Sequence, residues 1–276
     1  MIVDLGYDES GEGDVLLVSM QVGLNKKNKR MKKLWRKELK KVGIPYFHSR
    51  DFDNYTGGVF RDLDRQRRER VLDSLAQLTR LRLETGLTTK ISKKLFTGLT
   101  DQQFRSKYAT EYSFAIQMLV LFAYFYLERF GLGFDVNILI EEGHRNSAQA
   151  LQILQELKTI PKADGLERLN ILSVALGSKK DHPILQASDM LAYSEWQKTT
   201  SGDMAIYDAL HIDWSRYKPE VFECDRCLVH IGVEGAREYE ALIKQVANQK
   251  QRKGVLAAMV ETTGEHRRTP RRRDPC

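Results

Sequence analysis

The chain has 276 residues, enough to bury a full core in one enlarged domain or two. Its 44 Lys and Arg outnumber 37 Asp and Glu for a formal charge of +7, and residues 264–276 hold five Arg against Glu265 and Asp274. The body is therefore only mildly basic, a balance that favours acidic partners such as nucleic acid. Three cysteines (Cys224, Cys227 and Cys276) exclude a disulfide framework. Met1-Ile2-Val3-Asp4 lacks the basic start of a signal peptide, and the apolar run 114–127, broken by Gln117, is shorter than the roughly 20 residues of a membrane helix. A soluble, cytoplasmic protein without a membrane partner is expected, its oligomeric state open.

Residues 2–8 and 15–22 read as two strands joined by the turn Gly11-Glu12-Gly13-Asp14. Residues 26–42 switch to helical spacing, with Met31, Leu34, Trp35, Leu39 and Val42 on one side and ten Lys or Arg against Glu38 elsewhere. Pro45-Tyr46-Phe47-His48 is extended, residues 63–81 form a charged helix, and alternation over 81–91 predicts a half-buried strand. Thr100-Asp101 caps a predicted long helix to about residue 130, stopped by Gly131 and Gly133. A strand over 136–140, a helix over 147–158 and a strand over 169–176 follow. A helix then runs from Asp181-His182-Pro183 to about residue 198, with Pro at its tolerant first position. Residues 201–232 resist assignment, 234–253 read as a polar helix, and the tail from 264 reads as disordered.

Three carboxylate segments stand out. Tyr7-Asp8-Glu9-Ser10-Gly11 closes the first apolar run, Ile138-Leu139-Ile140-Glu141-Glu142-Gly143 closes a later one, and Leu185-Gln186-Ala187-Ser188-Asp189 lies within the last well-defined helix. Acids that converge without neutralising partners repel each other, and a hard divalent cation is the usual remedy. The element order, a hairpin followed by αβ units, predicts an α/β fold with a mixed central sheet flanked by helices. It also describes the ribonuclease H-like fold, with a helical insertion over about 26–80, a domain ending near 200, a helical extension over 201–263 and a basic tail over 264–276.

These segments resemble the large, mostly prokaryotic family catalogued as domain of unknown function 3800. Its members open with Asp-Glu-Ser-Gly after a short strand (here Asp8 to Gly11) and carry an acid after a later apolar strand (here Glu141). They close on Ser-Lys leading into Leu-Gln-x-Ala-Asp, here Ser178-Lys179 and Leu185 to Asp189. The resemblance spans residues 1 to about 200 and departs at Glu141, often Asp, and at Ser188, usually Ala. It implies a ribonuclease H-like, nucleolytic protein with Asp8, Glu141 and Asp189 as catalytic metal ligands for Mg²⁺ or Mn²⁺. A His near His48 occurs in some members, and here it is a candidate for proton transfer or phosphate binding.

On a strand, Glu9 faces away from Asp8, and Glu141 and Glu142 also alternate, so Glu9 and Glu142 are assigned supporting positions behind the ligands. Glu142 remains an alternative ligand to Glu141. Lys179 and Lys180 are candidates for holding a scissile phosphate, and Lys32, Lys33, Arg36 and Lys37 make the basic helix a candidate phosphate-binding ridge. For each of these lysines a solvated surface role is the plain alternative. Cys224-x-x-Cys227-x-x-His230 supplies three ligands of a zinc site, with His211 or Asp213 needed for a fourth, and reduced cysteines in a small core are preferred. Gly11-x-Gly13 is a turn, and Ser10 has no nearby His to activate it. The expected function is a nuclease that hydrolyses phosphodiester bonds of RNA or DNA by a two-metal mechanism. The alternatives are a nucleic-acid-binding adaptor that keeps the fold and a strand-transfer enzyme using the same acids.

Overall fold

The first two apolar runs, the second with the consecutive buried residues Leu16, Leu17 and Val18, set the middle of the sheet. Ile2–Ser10 (β1) and Val15–Leu24 (β2) pair antiparallel from Val3↔Leu24 to Ser10↔Leu17. The turn between them passes through Gly11 at φ +139°, where a Cβ would collide with the Val15 carbonyl; only glycine fits this conformation and approach. Thr85–Ser92 (β3) adds antiparallel to β2, and Asp135–Glu141 (β4) adds parallel to β1. Asn170–Gly177 (β5) and Glu220–Cys224 (β6) join parallel at the two edges, giving the order β5-β4-β1-β2-β3-β6. The computed structural model describes residues 1–11, 13–53, 58–107, 110–159, 169–200, 206, 209–210 and 220–224, all within the unit Met1–Arg226. Cys227, His230, His211, Asp213, the 234–253 helix and the tail from 264 lie outside the described residues. Among those described, no helix is long and apolar enough to cross a membrane.

Helices cover both faces. Pro183–Thr200 (α8) packs on β1, on β2 and on the short helix Ser49–Asp53 (α2), and Asn25–Lys41 (α1) and Arg65–Arg82 (α3) pack against each other and against α8. Met31, Trp35 and Leu39, one turn apart on α1, are buried with Leu75 of α3 and Met190 of α8. Gly43 at φ +76° follows the end of α1, and Lys40 and Lys41 in its last turn complement the helix dipole. Glu111–Arg129 (α6) packs on β2 and β3, and Ser147–Thr159 (α7) packs on β5 and α6.

Three expectations need correction. The helix predicted from 101 to 130 is divided into Gln102–Lys107 (α5) and α6, and a separate short helix, Lys93–Leu99 (α4), precedes them. Thr110 is extended (φ −82°, ψ 168°) and caps α6 reciprocally with Ser113, so a residue read as helix interior is a helix start. The strand over β3 is buried on both faces, not one, because helices lie above and below it; its Thr88 hydroxyl is satisfied by Ser19 at 2.6 Å. The short edge strand β6 was not expected at all, and it comes from a stretch assigned to the extension.

Candidate active site

β1 and β4 run parallel, with Tyr7 beside Ile140 as their last paired residues. One step further, Asp8 and Glu141 share the face covered by α8, since residues side by side in a parallel pair point the same way. Helix and strand approach closely here. A Cβ at Gly6 would lie 2.9 Å from the Ile184 side chain, and the Ser188 hydroxyl donates to the Gly6 carbonyl at 2.6 Å. Ser188, where the resembled family usually has Ala, thus ties α8 to β1. That contact sets the height of Asp189, the next residue along the helix.

The three acids meet at one cation. Lys179 Nζ lies 2.9 Å from Asp8 Oδ2, 3.2 Å from Glu141 Oε1 and 2.9 Å from Asp189 Oδ1. Lys179 was expected to face a phosphate; instead its ammonium sits among the carboxylates. The turn before α8, closed by His182 N–H donating to the Ser178 carbonyl, folds the lysine back over the helix it precedes. Lys180 points outward and lies 5.6 Å over the Tyr46 ring.

Asp189 uses both oxygens. Oδ1 meets Lys179, and Oδ2 accepts the Ser49 backbone N–H at 2.6 Å. Burial works to raise its pKa, but Lys179, His48 and the Ser49 N–H outweigh burial and hold it below the ordinary carboxylate value. His48 bridges outward, with Nε2 3.9 Å from Asp189 and Nδ1 3.3 Å from Asp51. The segment carrying His48 and Ser49 is pinned by Phe47, fully buried against Phe52 and Phe60 with ring centroids 5.9 and 5.4 Å away.

Glu9 was expected behind the site, on the opposite face. Its backbone does alternate, yet its carboxylate reaches Asp8 and Glu141, and one oxygen from each of the three lies within 4.8 Å of the others. β4 ends at Glu141, so β1 has no strand on that side beyond Tyr7. Asp8 also leans along the strand to accept the Glu9 N–H at 2.8 Å. Glu9 Oε2 and the hydroxyl of the fully buried Tyr112 have no hydrogen-bond partner among the described residues. Glu142, the alternative ligand, is exposed at the rim.

These groups open into a cleft of about 800 Å³. Its wall includes several residues that the sequence reading missed: Arg50, Lys93, Arg145, Tyr193, and the stacked pair Tyr112 and His144, whose rings lie 3.9 Å apart. Tyr193 stands four residues beyond Asp189 on α8, and helical spacing from the acid is the signal that would have found it. On the basic helix, Lys33, Arg36 and Lys37 are exposed and Lys32 is half-buried. Arg36 reaches Asp181 at 4.0 Å, which draws this ridge toward the turn that holds Lys179.

The cluster carries a predictable electrostatic penalty. Burial, then the charge of Glu141, pushes the Glu9 carboxyl up to about 7, and burial raises Asp8 well above its ordinary value. A Glu in the unfolded chain ionises near about pH 4.3. In strong acid both states hold the proton and the group contributes nothing. As pH rises through the interval, the unfolded chain ionises first, so stability falls until folded Glu9 also ionises. Asp189, with its lowered value, contributes the opposite trend only in acid. Cation-free protein should therefore lose thermal stability between about pH 5 and 8. Melting curves in chelator check this, and a melting temperature that is flat or rising over that range would refute it. No protein-family model matches this chain, and no curated protein matches it.

Proposed function

We propose that the protein is a metal-dependent nuclease that hydrolyses phosphodiester bonds of RNA or DNA. The observation that carries the reading is the meeting of three acids, from the ends of β1 and β4 and from α8, around one ammonium in an open cleft, with Glu9 beside Asp8 and Glu141. The donors are all hard oxygens, and buried Glu9 Oε2 lacks a partner, so the residues suit Mg²⁺ or Mn²⁺. The strand order β5-β4-β1-β2-β3, antiparallel within the first three strands of the chain and parallel after, supports the ribonuclease H-like assignment and, with the sequence motifs, membership of the resembled family.

Asp8 and Glu141 are the central ligands, with Glu9 beside them and Asp189 across Lys179. A bound ion there supplies Lewis-acid polarisation of a phosphoryl oxygen and a water nucleophile at neutral pH. His48, with Nδ1 3.3 Å from Asp51, moves a proton at Nε2 in this reading. Arg50, Lys93 and Arg145 at the cleft, and Lys32, Lys33, Arg36 and Lys37 on α1, hold the phosphate backbone by charge. The ten Lys and Arg of residues 26–42, against Glu38 alone, bring a polyanion to this surface.

The test is scission of end-labelled RNA and DNA, single- and double-stranded, with Mg²⁺ or Mn²⁺ and with excess chelator. Cleavage is expected only with the ion. Equal cleavage in chelator would reject the mechanism, and binding without cleavage of any substrate would favour the adaptor.

A further inference from the structure

We infer that Lys179 permanently fills one of the two cation positions of this site, so that the chain takes a single divalent ion on Asp8, Glu9 and Glu141. The inference rests on the metal-dependent reading above and names which residues serve which cation. An ammonium has three N–H donors and no more. Here three carboxylate oxygens from three residues, Asp8, Glu141 and Asp189, lie within 3.2 Å of Nζ, and the contact to Asp189 is a hydrogen bond. The lysine side chain is only 11% exposed. Its main chain is also fixed, because Gln186 Nε2 donates to the Lys179 carbonyl at 2.6 Å.

Asp189 is thereby committed. One oxygen serves Lys179 and the other accepts the Ser49 N–H, and the acids whose oxygens lie within 4.8 Å of one another are Asp8, Glu9 and Glu141, without Asp189. Glu9 is in the reverse position. It makes no ion pair to Lys179, stands within 4.8 Å of Asp8 and Glu141, and has a buried oxygen without a partner. Beside it, the Tyr112 hydroxyl is fully buried, unpartnered, and close enough for its pKa to be raised by burial and by Glu9, Asp8 and Glu141. These groups mark a second cation position on the Glu9 side, with Asp8 and Glu141 shared by both. Charge agrees. Four carboxylates against one ammonium leave three negative charges, and one divalent ion reduces them to one. Two divalent ions beside the ammonium would overshoot to a positive centre crowded with cations. Asp189 then acts as a positioning residue for Lys179.

Titration of the full chain with Mn²⁺, without nucleic acid, tests this through binding stoichiometry, read by calorimetry and by the loss of free-ion paramagnetic resonance signal. The parent should bind one ion. Glu9→Gln should weaken that ion by about tenfold or more, whereas Asp189→Asn should keep a stoichiometry of one. Lys179→Met, which removes the ammonium and keeps its bulk, should bind two. Two ions in the parent, or loss of the ion in Asp189→Asn with retention in Glu9→Gln, would overturn the inference, as would a parent that binds none. Should Lys179→Met fail to fold, the parent and the two carboxylate variants still decide. Cleavage is measured separately. One ion bound without cleavage sinks the nuclease reading alone, and cleavage with two ions bound sinks this inference alone.

Discussion

Asp8→Asn should lower ion-dependent strand cleavage by about three orders of magnitude or more while the protein stays folded. Asp8 is fully buried, between Glu9 and Glu141, and touches Lys179. Asn matches its size, so packing around Gly6 and Ser188 survives. The change removes the charge of a proposed shared ligand, and a loss of about 4 kcal/mol of charge stabilisation corresponds to that factor in rate. Stability should move little because two effects oppose. Removing a raised, repelled carboxylate relieves the cluster. Yet Asp8 accepts the Glu9 N–H with one oxygen and faces Lys179 with the other, so the amide must turn its NH₂ toward one donor. The expected outcome is a melting temperature within about 5 °C of the parent. Single-turnover cleavage and melting curves together check it. Near-normal turnover would remove Asp8 from the chemistry, and a variant that cannot fold would make it a structural partner of Lys179.

The parts of the site legible in the sequence are those set by local pattern. Asp8 and Glu141 each end an apolar run, and strand ends in a parallel pair lie side by side, so their proximity follows from two short stretches of chain. Asp189 was readable because an acid amid Leu185, Met190 and Leu191 needs a buried partner. Glu9 was not, because period-two alternation assigns it to the far face, and only the early end of β4 lets its carboxylate return. The place of Lys179 depends on a turn whose direction no spacing rule gives. Ser49 and Gln186 act through hydrogen bonds to residues 140 and 139 positions away, respectively, and such pairings are invisible to any window of sequence. The same limit explains the division of the 101–130 helix. Thr110 and Ser113 are ordinary polar residues until their reciprocal bonds make them a cap.

Gln186→Leu should be the most destabilising change among the polar residues around the site. Gln186 is 1% exposed, and its carbonyl oxygen accepts both the Trp35 indole N–H and the Phe47 backbone N–H at 2.7 Å. Its amide nitrogen donates to the Lys179 carbonyl. One side chain therefore joins α1, the segment bearing His48 and Ser49, and the turn bearing Lys179 to α8. Leucine fills the volume but leaves two buried donors and one acceptor unmet. Each unmet group costs about 1–3 kcal/mol, so a loss of about 4 kcal/mol is expected after some gain from added apolar burial. That is a large share of the roughly 5–15 kcal/mol that holds a domain together. Urea unfolding with and without divalent ion measures it. Trp35→Phe provides the graded comparison, since it removes one donor and leaves the other two bonds of Gln186 intact. In that background Gln186→Leu strands one group fewer, and its cost should shrink by about 1–2 kcal/mol. Additive costs would show that the indole and the amide are independent. In that case the Lys179 turn and the His48 segment would be held by apolar packing around Phe47 and Trp35, not by this hydrogen-bonded junction.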